Sequence, residues 1–371
     1  MRSRGGAPVV VAWLGVISGS CFARAAEFGQ GTGYSKVTFT ERSPLSSNKE
    51  LCARMGWPLL DAEAAKSDYV LADESFEVYV PPTYTGEKAF GLLVFVSPGG
   101  GGSLKNYDAR GDWKGIIDKH ELIWVGPNKI GNDRLVRPRM GITIDAAINA
   151  QKRFKIDPNR VYVGGVSGGG RVASMLGVGF PDVFRGGFYI IGCNFYRQEQ
   201  SIEHKGVFKR SYYVPPTKYY VAAKKQNKHV FLTGDTDGNR EQTHIYYKGF
   251  VRDGFEHCTY LQVPGMGHSP PPKEWFAKGM AALDAPLPDP ATRPATKPNA
   301  VAGTPKAPAT QAAARTPDQD AQKLVAHAKL FVDAKQYSLA REKLRYVVAQ
   351  YPGTPAAKQA RMLLDEIATK Q

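Results

Sequence analysis

Short apolar segments rich in valine, isoleucine, leucine and aromatic residues recur between residues 76 and 265, and they constrain the fold more than any other feature. They are FEVYVPP, GLLVFVS, ELIWVGP, RVYVGGVS, GGFYIIG, HVFLTG and TYLQVPG. Helical patterns such as GITIDAAINAQKRF and EQTHIYYKGFVRDG lie between them. Strands that alternate with helices predict an α/β fold, with a mainly parallel sheet covered by helices on both faces. In such sheets the functional groups lie in loops beyond the carboxyl ends of the strands.

One of these junctions carries a serine between glycines, in the stretch VYVGGVSGGGRVASML. Ser167 lies between Gly165 and Gly169, and this Gly-x-Ser-x-Gly pattern alone is weak support for catalysis in a glycine-rich chain. The context strengthens it, because a strand pattern precedes the serine and a helix pattern follows. The two glycines leave room for a tight turn that pushes the Ser167 hydroxyl out of the sheet. We therefore expect Ser167 to be a nucleophile.

A serine nucleophile needs a base, and the base needs an acid that orients it. Asp235 and Asp237 directly follow the strand HVFLTG, and His268 follows the next strand along the chain. The order Ser, Asp, His is the one found in hydrolases built on this kind of sheet. His268 is therefore the expected base, and the residues alone leave Asp235 and Asp237 open as the acid.

The other histidines do not follow a strand in this way. They are His120, His204, His229 and His327, which lie among charged or helical residues, His244 in a helical pattern, and His257 before a strand. No two histidines have the spacing of a zinc site. We therefore expect neither a metal nor a cofactor.

A glycine-rich loop follows the strand GLLVFVS and is the expected source of oxyanion-binding N–H groups. Pro98 has no N–H, so Gly99 or Gly100 is the better donor in this loop. The residue after the nucleophile, Gly168, is the expected second donor. A flexible glycine loop without a catalytic role is the alternative interpretation.

With these motifs, residues 75–284 resemble the α/β-hydrolases, and among them the secreted polyhydroxybutyrate depolymerases and feruloyl esterases. The segment IDPNRVYVGGVSGGGRVASML is similar to the nucleophile segment of that group. The resemblance implies the α/β-hydrolase fold. The chain departs from the group at Ser97-Pro98, where His-Gly is usual. The resemblance therefore assigns neither the oxyanion loop nor the substrate class.

The resemblance also implies roles for individual residues. It implies Ser167 as the nucleophile and His268 as the general base. It further implies Asp237 as the orienting acid, because the spacing in the group is Gly-x-x-Asp, here from Gly234 to Asp237. Asp235 remains the second choice.

The leading functional prediction is an exported serine hydrolase that cleaves carboxylic esters through an acyl-enzyme. Its expected substrate is a polyester, a feruloyl ester or an acetylated carbohydrate. One alternative is a serine peptidase of the prolyl-oligopeptidase type, which has the same triad order. A second alternative is a non-catalytic, surface-binding protein with a hydrolase-like domain.

The first residues have the pattern of a secretory signal peptide. Arg2 and Arg4 precede an apolar stretch, and Ala23-Arg24-Ala25 fits a cleavage site, so residues 1–25 are expected to be removed. The apolar stretch is short and glycine-rich for a membrane anchor, which is the rival interpretation. We therefore expect a secreted or periplasmic protein, or one of the cell envelope.

Export bears on the cysteines and on the basic charge. Cys52, Cys193 and Cys258 remain after cleavage, so at most one internal disulfide is possible, and the sequence does not identify the pair. A formal net charge of +15 suits anionic polysaccharide, nucleic acid or lipid surfaces, or simply a solvated surface. No nucleic-acid-binding motif is present, so nucleic acid is not an expected partner.

Residues 285–317 are rich in proline, alanine and threonine and contain no aromatic residue. Such a segment favours an extended spacer, and it separates a hydrolase-type domain at 28–284 from a tail at 318–371. Thr316-Pro317 and Thr354-Pro355 are typical helix starts. The tail resembles a tetratricopeptide helical hairpin with one more helix. It is therefore expected to bind a protein partner, to self-associate or to dock on the main domain.

Overall fold

The computed structural model describes residues 31–60, 65–108, 111–203, 206–287 and 337–368, and scattered positions between 318 and 332. The predicted signal peptide, nearly all of the predicted linker and Thr316-Pro317 lie outside these residues. The described chain falls into two compact units. The first comprises residues 31–55 and 65–285, and the second comprises residues 56–60 and the described residues after 285.

A twisted sheet forms the centre of the first unit. The strands are β1 (Gly33–Val37), β2 (Phe76–Val80), β3 (Phe90–Val96), β4 (Leu122–Pro127), β5 (Ile156–Val166), β6 (Gly186–Ile190), β7 (Glu199–Gln200), β8 (Val207–Phe208), β9 (Lys228–Gly234) and β10 (Cys258–Val263). The 8-stranded sheet has the order β1-β2-β4-β3-β5-β6-β9-β10, and β7 and β8 form a separate pair. β2 is antiparallel to both of its neighbours, and the remaining pairs of the large sheet are parallel.

Helices cover both faces of the large sheet. They are α1 (Asn48–Met55), α2 (Lys105–Asp108), α3 (Trp113–Lys119), α4 (Val136–Arg153), α5 (Gly168–Gly179), α6 (Thr217–Gln226), α7 (Arg240–Arg252) and α8 (Lys273–Asp284). α4, α5 and α7 pack on one face, and α3 and α8 pack on the other. This strand order and two-faced helical cover confirm the predicted α/β-hydrolase fold.

Every strand predicted from the sequence is present, and β1, β7 and β8 are additions, of which only β1 belongs to the large sheet. The segment GYSKV is only half buried and has little apolar character, so its sequence carries no strong strand pattern. It forms the edge of the sheet by pairing with β2. The three candidate triad residues lie beyond the ends of β5, β9 and β10, which are parallel strands. They therefore lie at the same edge of the sheet.

A buried tryptophan, Trp113, fixes the loop that carries His268. The indole Nε1 of Trp113 donates to the Pro271 carbonyl at 3.3 Å. The Trp113 ring stacks on Phe276 of α8 with ring centroids 3.8 Å apart. The indole therefore holds both the end of the histidine loop and the helix that follows it.

His229 is a buried histidine in β9, not one among charged or helical residues as the sequence suggested. Its Nδ1 lies 2.7 Å from the Tyr189 hydroxyl, and its Nε2 lies 3.2 Å from the Ala223 carbonyl. A neutral ring satisfies both contacts, with Nε2–H donating to the carbonyl and the phenol donating to Nδ1. Burial lowers the pKa of His229 from 6.5 to about 4.

This lowered pKa predicts a loss of stability in mild acid. The folded state binds fewer protons than the unfolded state between pH 6.5 and about 4, so stability is complete above this window and falls within it. The shift corresponds to a decrease of up to about 3 kcal/mol in the free energy of unfolding. The free energy of unfolding, measured with urea at several pH values across this range, should fall less steeply with decreasing pH for His229→Gln than for the wild type. Equal slopes would exclude His229 as the source.

Two helices of the second unit are fully bounded, α9 (Tyr337–Gln350) and α10 (Pro355–Glu366). α10 begins at Thr354-Pro355 as predicted, because the Thr354 hydroxyl accepts from the Ala357 N–H at 3.1 Å. The side chains that pack between them are small or aliphatic: Ala340, Leu344, Val347, Ala356, Ala357, Ala360 and Ile367. The resemblance of the tail to a tetratricopeptide repeat remains a prediction.

The structure also bears on disulfides and membrane spans. No disulfide joins any two of Cys52, Cys193 and Cys258. Burial raises the pKa of both the Cys193 and the Cys258 thiol to about 12, so the two thiols stay protonated at neutral pH.

In the part of the chain described here, no helix combines the length and the apolar character needed to cross a bilayer.

Candidate active site

Ser167 forms the turn between β5 and α5. Its backbone has φ 54° and ψ −119°, a left-handed conformation that non-glycine residues rarely adopt. The Ser167 N–H donates to the Ile190 carbonyl at 2.8 Å, and its carbonyl accepts from the Arg171 N–H at 3.1 Å. These bonds hold the strained turn and leave the side chain partly exposed. The turn has the conformation expected of a nucleophile elbow.

The glycines around Ser167 are required by space. A Cβ on Gly169 would lie 2.7 Å from the Val96 carbonyl carbon and closer still to its oxygen. A Cβ on Gly165 would lie 2.7 Å from the same Val96 oxygen. A Cβ on Gly170, to which the sequence assigned no role, would press on the Gly192 carbonyl oxygen. The glycines therefore let α5 begin directly against the ends of β3 and β6.

His268 lies between Ser167 and Asp237. Its Nε2 is 2.9 Å from the Ser167 Oγ, and its Nδ1 is 2.8 Å from the Asp237 Oδ1. A carboxylate only accepts hydrogen bonds, so Nδ1 carries the proton and Nε2 accepts from the serine hydroxyl. The Asp237 side chain is fully buried, whereas 46% of the His268 side chain is exposed. The imidazole is therefore fixed on one side and accessible to solvent on the other.

Asp237 accepts two further hydrogen bonds. Its Oδ2 accepts from the Thr233 hydroxyl at 2.9 Å, and its Oδ1 accepts from the Asn239 N–H at 3.1 Å. These bonds satisfy a buried carboxylate and fix the oxygen that faces the imidazole. Asp235, the other candidate acid, has an exposed side chain. The structure thus brings Asp237 to His268 and leaves Asp235 at the surface.

The loops that carry Asp237 and His268 are joined along their backbones. The Asp235 N–H donates to the Val263 carbonyl at 3.1 Å, and the Thr236 N–H donates to the Met266 carbonyl at 3.2 Å. A Cβ on Gly234 would lie 2.5 Å from the Met266 carbonyl carbon. The glycine of the Gly-x-x-Asp spacing is therefore needed where the two loops touch.

Arg171 connects the nucleophile helix to the acid loop, and the sequence analysis did not identify it. One of its terminal nitrogens lies 3.3 Å from the Asn239 Oδ1 and 2.7 Å from the Gln242 Oε1. The other lies 3.3 Å from the Cys193 carbonyl. Asn239 is the residue whose N–H bonds Asp237, so Arg171 supports the acid through Asn239. Its position four residues after Ser167, one helical turn away, is the only sequence signal that points to it.

The glycine loop after β3 is the candidate oxyanion site. The Gly99 N–H donates to the Ser97 hydroxyl at 3.4 Å, which is a long bond within the loop. Gly100 has φ +78°, a conformation that favours glycine. Gly168 is the first residue of α5, where helix N–H groups have no partner within the helix. Gly168 thus directly follows Ser167, and the loop with Gly99 and Gly100 begins after Val96, whose carbonyl group faces Gly165 and Gly169.

A second loop, residues 126–132, braces the glycine loop. The Lys129 N–H donates to the Gly100 carbonyl at 2.6 Å, and the Asn132 N–H donates to the Pro98 carbonyl at 2.8 Å. The two backbones touch where Gly126 faces Gly102, because a Cβ on Gly126 would lie 2.5 Å from the Gly102 carbonyl carbon. The Gly100 backbone is therefore held in place from outside its own loop.

Asn132 also contacts the serine turn. Its side-chain Cγ and Nδ2 would lie 2.7 and 2.9 Å from a Cβ on Gly168. A residue other than glycine at position 168 would require the Asn132 amide to move. No metal cluster accompanies the site, since the described His, Cys, Asp and Glu side chains form no group of three that could hold an ion.

The geometry predicts different effects for the two aspartates. Asp237→Asn should lower kcat by about 10⁴-fold, because an amide in place of the carboxylate favours the wrong imidazole tautomer. Asp235→Asn should change kcat less than about twofold, because its exposed side chain is outside the hydrogen-bond chain. Steady-state hydrolysis of an aryl ester measures both. A large loss in the Asp235 variant with a small loss in the Asp237 variant would contradict the assignment.

The chain is similar to known proteins in sequence and in structure, although no protein-family profile matches it. A 132-residue stretch is 29% identical to a poly(3-hydroxybutyrate) depolymerase from Ralstonia pickettii, covering 31% of this chain and 26% of that protein. The chain thus matches about a quarter of the length of this relative.

Among solved structures, similar chains include two proteins named as esterases and one named as a hydrolase. A feruloyl esterase module from Clostridium thermocellum is 15% identical with a TM-score of 0.42, covering 57% of this chain and 81% of that chain. S-formylglutathione hydrolase from Staphylococcus aureus is 12% identical with a TM-score of 0.42, covering 69% and 96%. A ferulic acid esterase is 16% identical with a TM-score of 0.45, covering 68% and 97%.

The fold assignment rests on the chain's own topology. The mainly parallel sheet, the antiparallel β2 and the strand-to-helix turn at Ser167 occur together in one unit. The depolymerase match adds similarity at the level of sequence. The first unit of this chain is therefore an α/β-hydrolase fold with a serine at its strand-to-helix turn.

Proposed function

We propose that the chain is an exported serine esterase that hydrolyses carboxylic esters. The observation that carries this proposal is the hydrogen-bonded chain from Ser167 through His268 to the buried Asp237. The name of the Ralstonia pickettii relative, a depolymerase of a polyester, supports an ester as the scissile bond.

In the proposed acylation step, the Ser167 oxygen attacks the ester carbonyl carbon while His268 Nε2 takes the hydroxyl proton. The carbonyl oxygen becomes an oxyanion, which the N–H of Gly168 and that of Gly99 or Gly100 stabilise. The tetrahedral intermediate collapses, its bond to the alcohol oxygen breaks, and His268 returns the proton to the leaving alcohol. The product of this step is an acyl-enzyme on Ser167.

Deacylation repeats these steps with water. His268 takes a proton from water, the hydroxide attacks the acyl carbonyl, and the same N–H groups hold the second oxyanion. Collapse releases the carboxylic acid, and Ser167 recovers its proton from His268. Asp237 keeps Nδ1 protonated throughout and stabilises the imidazolium that forms twice in the cycle.

The exposure of His268 bears on the substrate class. With 46% of its side chain exposed, the imidazole lies at the surface and not at the bottom of a closed pocket. An open site accepts an ester that projects from a polymer, and this accessibility favours a polyester or an acylated polysaccharide. Export through residues 1–25 and a binding role for the tail at 318–371 belong to the same proposal.

A substrate panel tests the proposed function on the full-length chain. It contains p-nitrophenyl acetate and butyrate, methyl ferulate, a poly(3-hydroxybutyrate) film and a peptide p-nitroanilide. We expect hydrolysis of esters and a much lower rate with the anilide. Faster cleavage of the anilide would support a serine peptidase instead. No turnover of any substrate, with an intact fold, would support a non-catalytic binding protein.

A further inference from the structure

An open groove lies in the segment that follows β6, and none of its lining residues belongs to the proposed ester site. Its volume is about 480 Å³, and its lining residues are Tyr196, Arg197, Gln198, Arg210, Tyr213 and Val214. Two guanidinium groups and two phenol rings thus share one groove that no carboxylate lines. This combination suits an anionic ligand.

Arg197 is fixed at one end and exposed at the other. Its Nε donates to the Asp253 Oδ2 at 2.6 Å, and the Tyr196 hydroxyl donates to the same oxygen at 2.9 Å. The Asp253 side chain is 9% exposed and the Arg197 side chain is 50% exposed. The hydrogen bond that Arg197 donates to Asp253 raises the pKa of Arg197, so the guanidinium stays charged. Because Asp253 binds Nε, the outer nitrogens remain at the exposed end of the side chain.

Arg210 is held by an aromatic ring. Its guanidinium carbon lies 4.2 Å from the centroid of the Tyr213 ring, and its Nη2 lies 3.4 Å from the Tyr213 hydroxyl. Within the described ranges no carboxylate lies at ion-pair distance from Arg210. Stacking on a ring limits the freedom of the guanidinium without neutralising its charge. Arg210 is therefore a partly ordered cation that faces solvent.

Arg197 is anchored at the opposite end of α7 from the acid of the triad. Asp253 directly follows α7, the 13-residue helix Arg240–Arg252, whose first turn adjoins Asp237. At 1.5 Å per residue this helix separates its two ends by about 20 Å. A ligand held by Arg197 and Arg210 therefore contacts residues that the proposed ester site does not use.

We infer that this groove binds the carboxylate groups of an acidic polysaccharide. Each guanidinium fork pairs well with a carboxylate, and an open groove admits an extended chain. The net charge of +15 favours an extended polyanion over a single small anion. Such binding would hold the protein on an acidic polymer independently of ester hydrolysis.

The rings argue against nucleic acid and lipid as the ligand. Tyr196 is 2% exposed, and Arg210 lies over the Tyr213 ring, so neither ring is fully open for base stacking. Val214 is the only aliphatic side chain among the lining residues, which is too little apolar surface for an acyl chain. The groove thus favours a polar, carboxylate-bearing ligand.

The test measures binding of polygalacturonate to the full-length Ser167→Ala chain, so that hydrolysis does not change the ligand. We expect Arg197→Gln with Arg210→Gln to weaken binding by about tenfold or more, because two charge-assisted contacts are lost. The control, Lys88→Gln with Lys152→Gln, removes equal charge from side chains that are 68% and 51% exposed. It should change affinity less than about twofold. Fully methyl-esterified polygalacturonate should bind weakly to every variant.

Several results would overturn the inference. Equal loss in the groove variant and in the control would show that binding is due to diffuse charge. A larger loss of binding to single-stranded DNA or to anionic vesicles than to polygalacturonate would assign the groove to that ligand. If the double variant unfolds, Arg210→Gln alone is decisive, because its side chain is exposed. Unchanged affinity of that folded variant would exclude Arg210 from the site.

Discussion

Ser167→Ala should lower ester hydrolysis by on the order of a millionfold while leaving the fold intact. The Oγ atom is the only nucleophile in the hydrogen-bonded chain, and its 2.9 Å contact with His268 is the route by which its proton leaves. Without Oγ no acyl-enzyme forms, and only the residual effect of binding and of the oxyanion donors remains. The backbone bonds of the turn, including that from the Ser167 N–H to Ile190, do not involve the side chain.

Fluorophosphonate labelling followed by intact-mass measurement checks this expectation without a known substrate. The wild type should take up one label, and Ser167→Ala should take up none. Ser35→Ala, which changes an exposed serine in β1, should label like the wild type. Persistent labelling of the Ser167 variant would move the nucleophile to another residue and overturn the proposed mechanism.

The second large effect is expected from Gly169→Ala. Within a helix this change normally stabilises by about 1 kcal/mol, because alanine is the better helix former. Here the new Cβ would lie 2.7 Å from the Val96 carbonyl carbon and closer to its oxygen. Val96 belongs to β3, a central strand whose backbone is fixed by both neighbours. We therefore expect a loss of about 3 kcal/mol or more, with a loss of activity as the serine turn shifts.

Thermal unfolding of Gly169→Ala beside Gly238→Ala provides the measurement. A Cβ on Gly238 would meet nothing within 4 Å, so that variant should stay within about 0.5 kcal/mol of the wild type. The control separates the general effect of losing a glycine from the effect of the contact with Val96. A higher melting temperature for Gly169→Ala than for the wild type would show that β3 and α5 adjust to the methyl group.

Much of the site could be predicted because its functional residues follow directly after parallel strands. Parallel strands bring the residues that follow them to one edge, so Ser167 and His268 needed only to be placed after strands. The acid was harder, because Asp235 and Asp237 both follow β9. The structure distinguishes them through Thr233 and Asn239, whose hydrogen bonds reach Asp237. The Asp-x-Asn spacing, typical of a side chain that bonds the backbone two residues on, was an unused sequence signal.

What the sequence did not reveal depends on contacts between distant loops. Arg171 reaches Asn239 and Gln242 across 68 and 71 positions of the chain, and no local pattern encodes such a pair. Asn132 lies against Gly168 for the same reason. His229 opens a strand pattern but follows the polar residues Asn227 and Lys228, and only its burial shows that the ring belongs to the core and is neutral.

The contact between Gly102 and Gly126 limits how the two loops can change in related sequences. Where two backbones touch, neither loop can lengthen or acquire a side chain unless the other shifts with it. We therefore expect the segments around residues 98–102 and 126–132 to change length together among relatives, and to be inherited as one unit. Grafting the glycine loop alone into another hydrolase should fail, whereas grafting both segments should transfer its shape.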